Sequence, residues 1–147
     1  MDIFKFGGAS VKDAEGVKNL FNIINTRKEN LIVVVSAMGK MTDALEAVCN
    51  AYFHRAGETA EALERVKTFH RDIVKELFGT GGSKVEKQVE DLLQTLEDMT
   101  KEEPSLSYDY EYDRLICFGE LLSTTIVAAY LERQGRKAKW GDIRKCL

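Results

Sequence analysis

The 147-residue chain is 44% apolar and 31% charged, with a formal net charge of −3. That composition suits one soluble globular domain whose core buries most of the unfolded chain's surface. Lysines and arginines are scattered among acids rather than gathered in a basic stripe, which argues against a nucleic-acid partner.

At the N-terminus, Met1-Asp2-Ile3-Phe4-Lys5 lacks the charged-then-apolar order of a signal peptide. Ile3 to Phe6 predicts a short strand ended by Gly7-Gly8. Ser10-Val11-Lys12-Asp13 has the form of a capping box opening a helix, and Val17, Leu20, Phe21, Ile23 and Ile24 give that helix an apolar face. Leu31 to Val35 is an uninterrupted apolar run, as expected of a central parallel strand buried on both faces. Strand, loop, helix and strand make a βαβ unit. Parallel strands put the loops Gly7 to Ser10 and Ser36 to Met41 on one sheet edge, where α/β proteins bind ligands.

From Thr42 to Thr100 the pattern is helical, broken at Gly57 and at Gly79-Thr80-Gly81-Gly82, with a second capping-box pattern at Ser83 to Glu86. His54 and His70 fall in this stretch and are expected to face solvent. Pro104 marks a linker. Tyr108, Tyr110 and Tyr112, alternating with Asp109, Glu111 and Asp113, read as a surface or interface segment without metal-ligand spacing. A further helix is predicted over about Leu115 to Arg133, followed by a strand at Lys137 to Trp140. No apolar run approaches the roughly 20 residues of a bilayer span, so no membrane partner is expected. Cys49, Cys117 and Cys146 are odd in number and far apart, which fits reduced thiols and a cytoplasmic location. An end at Cys146-Leu147, just after the last strand candidate, suggests a piece of a longer protein.

Three stretches carry chemistry. Lys5-Phe6-Gly7-Gly8-Ala9-Ser10 places a fixed positive charge beside backbone amides open to an anion, and the helix behind it adds its positive end. It is no Walker A loop, and a solvated lysine at a plain turn fits the same residues. In Ser36-Ala37-Met38-Gly39-Lys40-Met41-Thr42, hydroxyls and free amides can hold a small carboxylate, although Thr42 also reads as a simple N-cap. Glu120 has few polar neighbours. It either reaches solvent or meets a positive group, because unpaired burial of a carboxylate is costly. Gly119 beside it allows a ligand or a second backbone to come close.

In order and spacing, KFGGASV (Lys5 to Val11), VVVSAMGKMTD (Val33 to Asp43) and FGELLS (Phe118 to Ser123) resemble the blocks of the aspartokinase family of amino-acid kinases. The resemblance covers essentially the whole chain. It implies a three-layer αβα sandwich of the carbamate kinase-like type, of which residues 1–147 are the N-terminal portion, with a helical excursion over about 42–133. It further implies ATP-dependent phosphorylation of the L-aspartate side chain, with Mg²⁺ as cofactor, in a homo-oligomeric enzyme. Lys5 would contact the transferring phosphoryl group, and Gly7, Gly8, Ala9 and Ser10 would line the phosphate path. Ser36, Gly39 and Thr42 would hold aspartate, and Glu120 would pair with its ammonium group. Ala9 stands where the family usually has threonine. A kinase for another small acid is a variant of this reading, and a non-catalytic α/β binding module is its rival. A dinucleotide-binding domain is disfavoured, since no G-x-G-x-x-G follows the first strand.

Overall fold

The computed structural model describes residues 1–146, so the chain end at Leu147 lies outside the described residues. Two parallel strands, β1 (Asp2–Phe6) and β2 (Leu31–Val35), flank helix α1 (Ala14–Asn25) in the predicted βαβ order. They pair in register from Asp2 opposite Leu31 to Phe6 opposite Val35. Five helices and a 3₁₀ turn then follow, up to Arg133, without another strand among the described residues. These are α2 (Met41–Phe53), α3 (Thr59–Phe78), a 3₁₀ turn (Gly79–Gly81), α4 (Ser83–Lys101), α5 (Tyr108–Ile116) and α6 (Phe118–Arg133).

Helix α2 packs on α3 and α5, while α4 packs on α6 and α3. Their apolar faces merge with those of the βαβ unit into one core, with Met38, Leu45, Leu93, Leu96, Leu115, Leu122 and Ile126 fully enclosed. Two arginines beyond the core tie helix ends together. Arg133 donates to the Phe78 carbonyl at the end of α3 at 2.7 Å. Arg136 donates to the Ile24 and Arg27 carbonyls at the end of α1, at 3.0 and 2.9 Å. A cation on the last carbonyls of a helix satisfies orphan acceptors and opposes the negative end of the macrodipole.

Several elements depart from the sequence expectation, each for a local reason. Ser10 does not cap α1. The segment Gly7 to Val11 closes its own turn, with Ser10 N donating to Gly7 O at 3.0 Å. Asp13 takes the cap instead, its carboxylate accepting from Gly16 N at 2.8 Å. Ser83 is the first residue of α4 rather than its cap, which falls to Gly82 with no side-chain bond. The long helix predicted from Leu115 is broken at Cys117 into α5 and α6. The run Tyr108–Arg133 is long and apolar enough for a bilayer by length and composition, which the sequence reading did not credit, but its apolar residues enter the core. Lys137 to Trp140 forms no strand. It crosses α6 instead, with Trp140 Nε1 donating to Thr124 Oγ1 at 2.9 Å.

Strand β2 is covered on one face only: Ile32 and Val34 are 42% and 45% exposed, beside Ile3 of β1 at 67%. The tyrosine-rich segment is helical and lies mostly at the surface as expected, with Glu111 the exception. Glu111 is enclosed and accepts from Ser105 N and Arg114 Nη1, both at 2.9 Å. Burial opposes its charge, but those two donors outweigh it and hold the carboxyl below the usual range.

His54 faces solvent, but His70 does not. His70 is fully enclosed, its Nδ1–H donating to Val66 O at 2.7 Å, while Nε2 has no partner. Burial pushes its pKa from 6.5 down to about 4, against the small opposing effect of the Val66 carbonyl. The unfolded chain therefore takes up a proton near pH 6.5 that the folded protein refuses until about pH 4. Stability falls as the pH drops through that window, by roughly 3 kcal/mol in total. In urea titrations across pH 7 to 4, His70→Leu is expected to flatten this loss relative to wild type. Parallel pH curves for the two proteins would show that His70 is not its source.

Candidate active site

The site follows from how β1 and β2 end. Ser36 N donates to Phe6 O at 3.0 Å, carrying the ladder one residue past β2. That step delivers Ala37 to the side of Gly8. A side chain at Gly8 would place its Cβ 2.8 Å from the Ala37 carbonyl oxygen, so only glycine permits the approach. Gly39 N then donates to Gly8 O at 3.0 Å. Gly39 reaches this position with φ of 53°, in the left-handed region, and lies against the backbone of Lys12. The two glycine-bearing loops are therefore joined directly rather than merely facing one cleft.

The third motif meets them at the same residue. Gly119, in the first turn of α6, lies so close to Ala37 that an added Cβ would stand 2.7 Å from the Ala37 methyl and 3.3 Å from Leu45 Cδ1. Sequence reasoning had reserved this space for a ligand or a second backbone. The occupant is the Ala37 side chain, which is almost fully buried. Nothing in the residue type of Ala37 signalled its place between two glycines, and only the spacing of the three motifs hinted at it.

Around this junction the predicted side chains point outward. Lys5, Ala9, Ser10, Thr42 and Glu120 are exposed, and Gly7 is open as well. Ser36, Gly8 and Gly39 are half-buried. Among the described residues, the side chains of Lys5, Ser36, Thr42 and Glu120 enter no ion pair or hydrogen bond. Of the two readings of Glu120, the chain by itself realises the solvent-facing one.

The helix ends divide the electrostatics. At α1 the amide end is closed by the Asp13 carboxylate, so this helix does not offer the free positive end expected behind the glycine loop. Helix α2 begins at Met41 with no side-chain cap, and Thr42 is its second residue rather than its cap. Helix α6 begins uncapped too, with Glu120 in its first turn. Uncapped amide ends are where an anion is best received.

No group of three or more His, Cys, Asp or Glu side chains is placed to hold a metal ion among the described residues. Mg²⁺ held mainly by substrate phosphates needs no such cluster, and no chemical step is assigned to it. Cys49 is buried and Cys117 half-buried, and burial pushes both thiols up, away from nucleophilic character. A groove of about 720 Å³ between α4 and α6 is floored by Val85, Leu92, Ala128 and Ala129 and holds none of the predicted site residues.

The sequence matches the amino acid kinase family over residues 3–147. The chain belongs to that family. It is 39% identical to Aspartokinase 1, chloroplastic, of Arabidopsis thaliana, over 95% of this chain and 25% of the relative. Aspartokinase 2, chloroplastic, of the same plant is 36% identical over 95% of this chain and 26% of its own length. Among solved structures, Escherichia coli aspartokinase III in complex with aspartate and ADP superposes with a TM-score of 0.86 at 26% identity, covering 99% of this chain and 32% of that one. The α/β fold of the amino-acid kinases is thereby established for residues 1–146. The chain spans about a quarter of the length of the curated relatives it matches.

Gly8 and Gly7 offer a matched pair. Gly8→Ala is expected to cost about 1–3 kcal/mol, because the obstructing atom is a backbone carbonyl that cannot rotate away. Gly7→Ala meets nothing within 4 Å and should stay within about 0.5 kcal/mol of wild type. Urea denaturation of the two variants checks this, and equal midpoints would contradict the close approach.

Proposed function

We propose that this chain forms the aspartate-binding part of an aspartate kinase and serves the synthesis of aspartate-family amino acids in the cytoplasm. A side-chain carboxylate oxygen of L-aspartate attacks the γ-phosphorus of ATP. The bond from that phosphorus to the β,γ-bridging oxygen breaks, and aspartyl phosphate and ADP result. The carboxylate is already ionised at neutral pH, so no general base is needed. Positioning and charge neutralisation do the catalytic work.

In this reading Lys5 touches the transferring phosphoryl group. The amides of Gly7, Gly8, Ala9 and Ser10 line the phosphate path, an arrangement in which the Ala9 side chain contributes nothing polar. Ser36, Gly39 and Thr42 receive the substrate carboxylate at the uncapped start of α2. Glu120 pairs with the ammonium group, which gives its free carboxylate a partner. The observation that carries the reading is the convergence of all three motifs on Ala37, with Lys5 and Glu120 both exposed and without an ion pair. The bound aspartate and ADP of the E. coli neighbour support it by analogy. Residues 1–147 match a quarter to a third of such enzymes and are expected to be inactive alone. A homo-oligomeric state belongs to the same proposal.

Aspartyl phosphate is trapped by hydroxylamine as the hydroxamate. The complete protein carrying residues 1–147 is expected to form it from ATP and aspartate. Lys5→Ala should lower turnover by about 10²-fold or more, the scale of losing one charge-stabilising donor. Because Lys5 is exposed, the variant should keep the wild-type circular dichroism. Absence of hydroxamate from the wild-type protein, or full turnover by the variant, would defeat the assignment.

A further inference from the structure

We infer that the contact between Ala37 and Gly119 fixes the length of amino diacid the site accepts, which makes Gly119 a specificity-determining positioning residue. The inference rests on the aspartate kinase reading above. That reading puts the substrate carboxylate at Ser36 and Thr42, on one side of the contact, and its ammonium group at Glu120, on the other. Ala37 follows Ser36 directly, and Glu120 follows Gly119 directly. The gap between the two ends of the substrate is therefore set one residue away from where two backbones touch.

The contact has no slack. A methyl added at Gly119 would stand 2.7 Å from Ala37 Cβ and 3.3 Å from Leu45 Cδ1. Real Cβ atoms do not approach so closely, so any side chain at 119 displaces α6 from the β2–α2 loop. Ala37 cannot retreat, because its own carbonyl oxygen lies against Gly8 and its side chain is buried. Leu45, also fully buried, closes the other direction. The N-terminus of α6 must give, and Glu120 moves with it. The displacement opens the site by a fraction of the length of one methylene group.

Such a change acts on the amino acid and not on the nucleotide. Lys5 lies in β1 and Gly7 and Gly8 in the loop after it, whereas the atoms nearest Gly119 belong to Ala37 and Leu45. Gly119→Ala should therefore raise the KM for aspartate by about tenfold, in line with the sensitivity of a positioned substrate to small misplacements. The KM for ATP should stay within about twofold of wild type. The ratio of kcat/KM for aspartate over glutamate should fall, because the longer acid tolerates the wider gap.

The nearest obstructing atom is the Ala37 methyl, and this supplies the internal control. Ala37→Gly removes it. The double variant Ala37→Gly, Gly119→Ala restores one methyl in the contact and should recover the aspartate KM and the discrimination against glutamate. The same Ala37→Gly change should not rescue Gly8→Ala, whose obstruction is the residue-37 carbonyl oxygen and not its methyl.

The experiment measures hydroxamate formation with aspartate and with glutamate, at varied ATP, for the complete protein and these variants. Aspartate turnover by the wild-type protein secures the underlying reading first. Given that turnover, an unchanged aspartate KM and discrimination in Gly119→Ala would overturn the inference. So would equal rises in the KM values for aspartate and ATP, or failure of the double variant to fold or to recover. A raised aspartate KM restored by Ala37→Gly is the expected result.

Discussion

The approach of two glycines to Ala37 is the constraint on which the rest of the site depends. Gly8 meets the residue at its carbonyl and Gly119 meets it at its methyl. Neither contact is possible with a side chain on the glycine, so sequence and geometry lock each other here. The register of β1 against β2 brings Ala37 to this place, and the bond from Gly39 N to Gly8 O closes the loop around it. The junction is made almost wholly of backbone and a single methyl, with no rotamer to relax. A rigid junction from which polar side chains radiate is what a positioning site requires.

Helix α6 carries that rigidity across the molecule. At its N-terminus the Gly119 contact holds it against the β2–α2 loop. At its C-terminus Gly135 adopts a φ of 84°, ending the helix and turning the chain toward α1. Arg133 and Arg136 then bond the last carbonyls of α3 and α1. A rod pinned at both ends cannot slide, so the start of α6 keeps its place against the loop of Ser36 even though the Glu120 side chain makes no hydrogen bond or ion pair. The helical excursion thus holds the helix that carries Glu120 against the loop that carries Ser36.

Much of this was legible in the residues. The βαβ order, both glycine loops and the helical stretch followed from period and punctuation, because each is a local property. What escaped depended on tertiary partners. Asp13 displaced Ser10 as a cap because the glycine loop preferred its own turn. Glu111 and His70 were read as surface residues, yet both are enclosed. Glu111 is charged with two donors supplied by Ser105 and Arg114, and His70 is neutral on the Val66 carbonyl. Residue type alone does not announce a buried partner. Strand β2 was read as covered on both faces from its composition, and Ile32 and Val34 show cover on one only. Lys137 to Trp140 has strand composition but pairs with no strand among the described residues, and a ladder needs a partner as much as a propensity.

The chemistry proposed for the site explains which side chains it lacks. Transfer to an ionised carboxylate needs no proton taken up, so no histidine or cysteine stands at the junction. What it needs is positive potential along the phosphate path and at the incoming carboxylate. Asp13 closes the amide end of α1, so the positive contribution there falls to Lys5 and the loop amides. At α2 the amide end stays open, beside Ser36 and Thr42. Had α2 been capped by a carboxylate as α1 is, the substrate's own carboxylate would meet a like charge at close range, where repulsion disfavours it. The uncapped start of α2 is thus a place at the junction where a helix still offers free amides to an anion, whereas the start of α1 is already closed by Asp13.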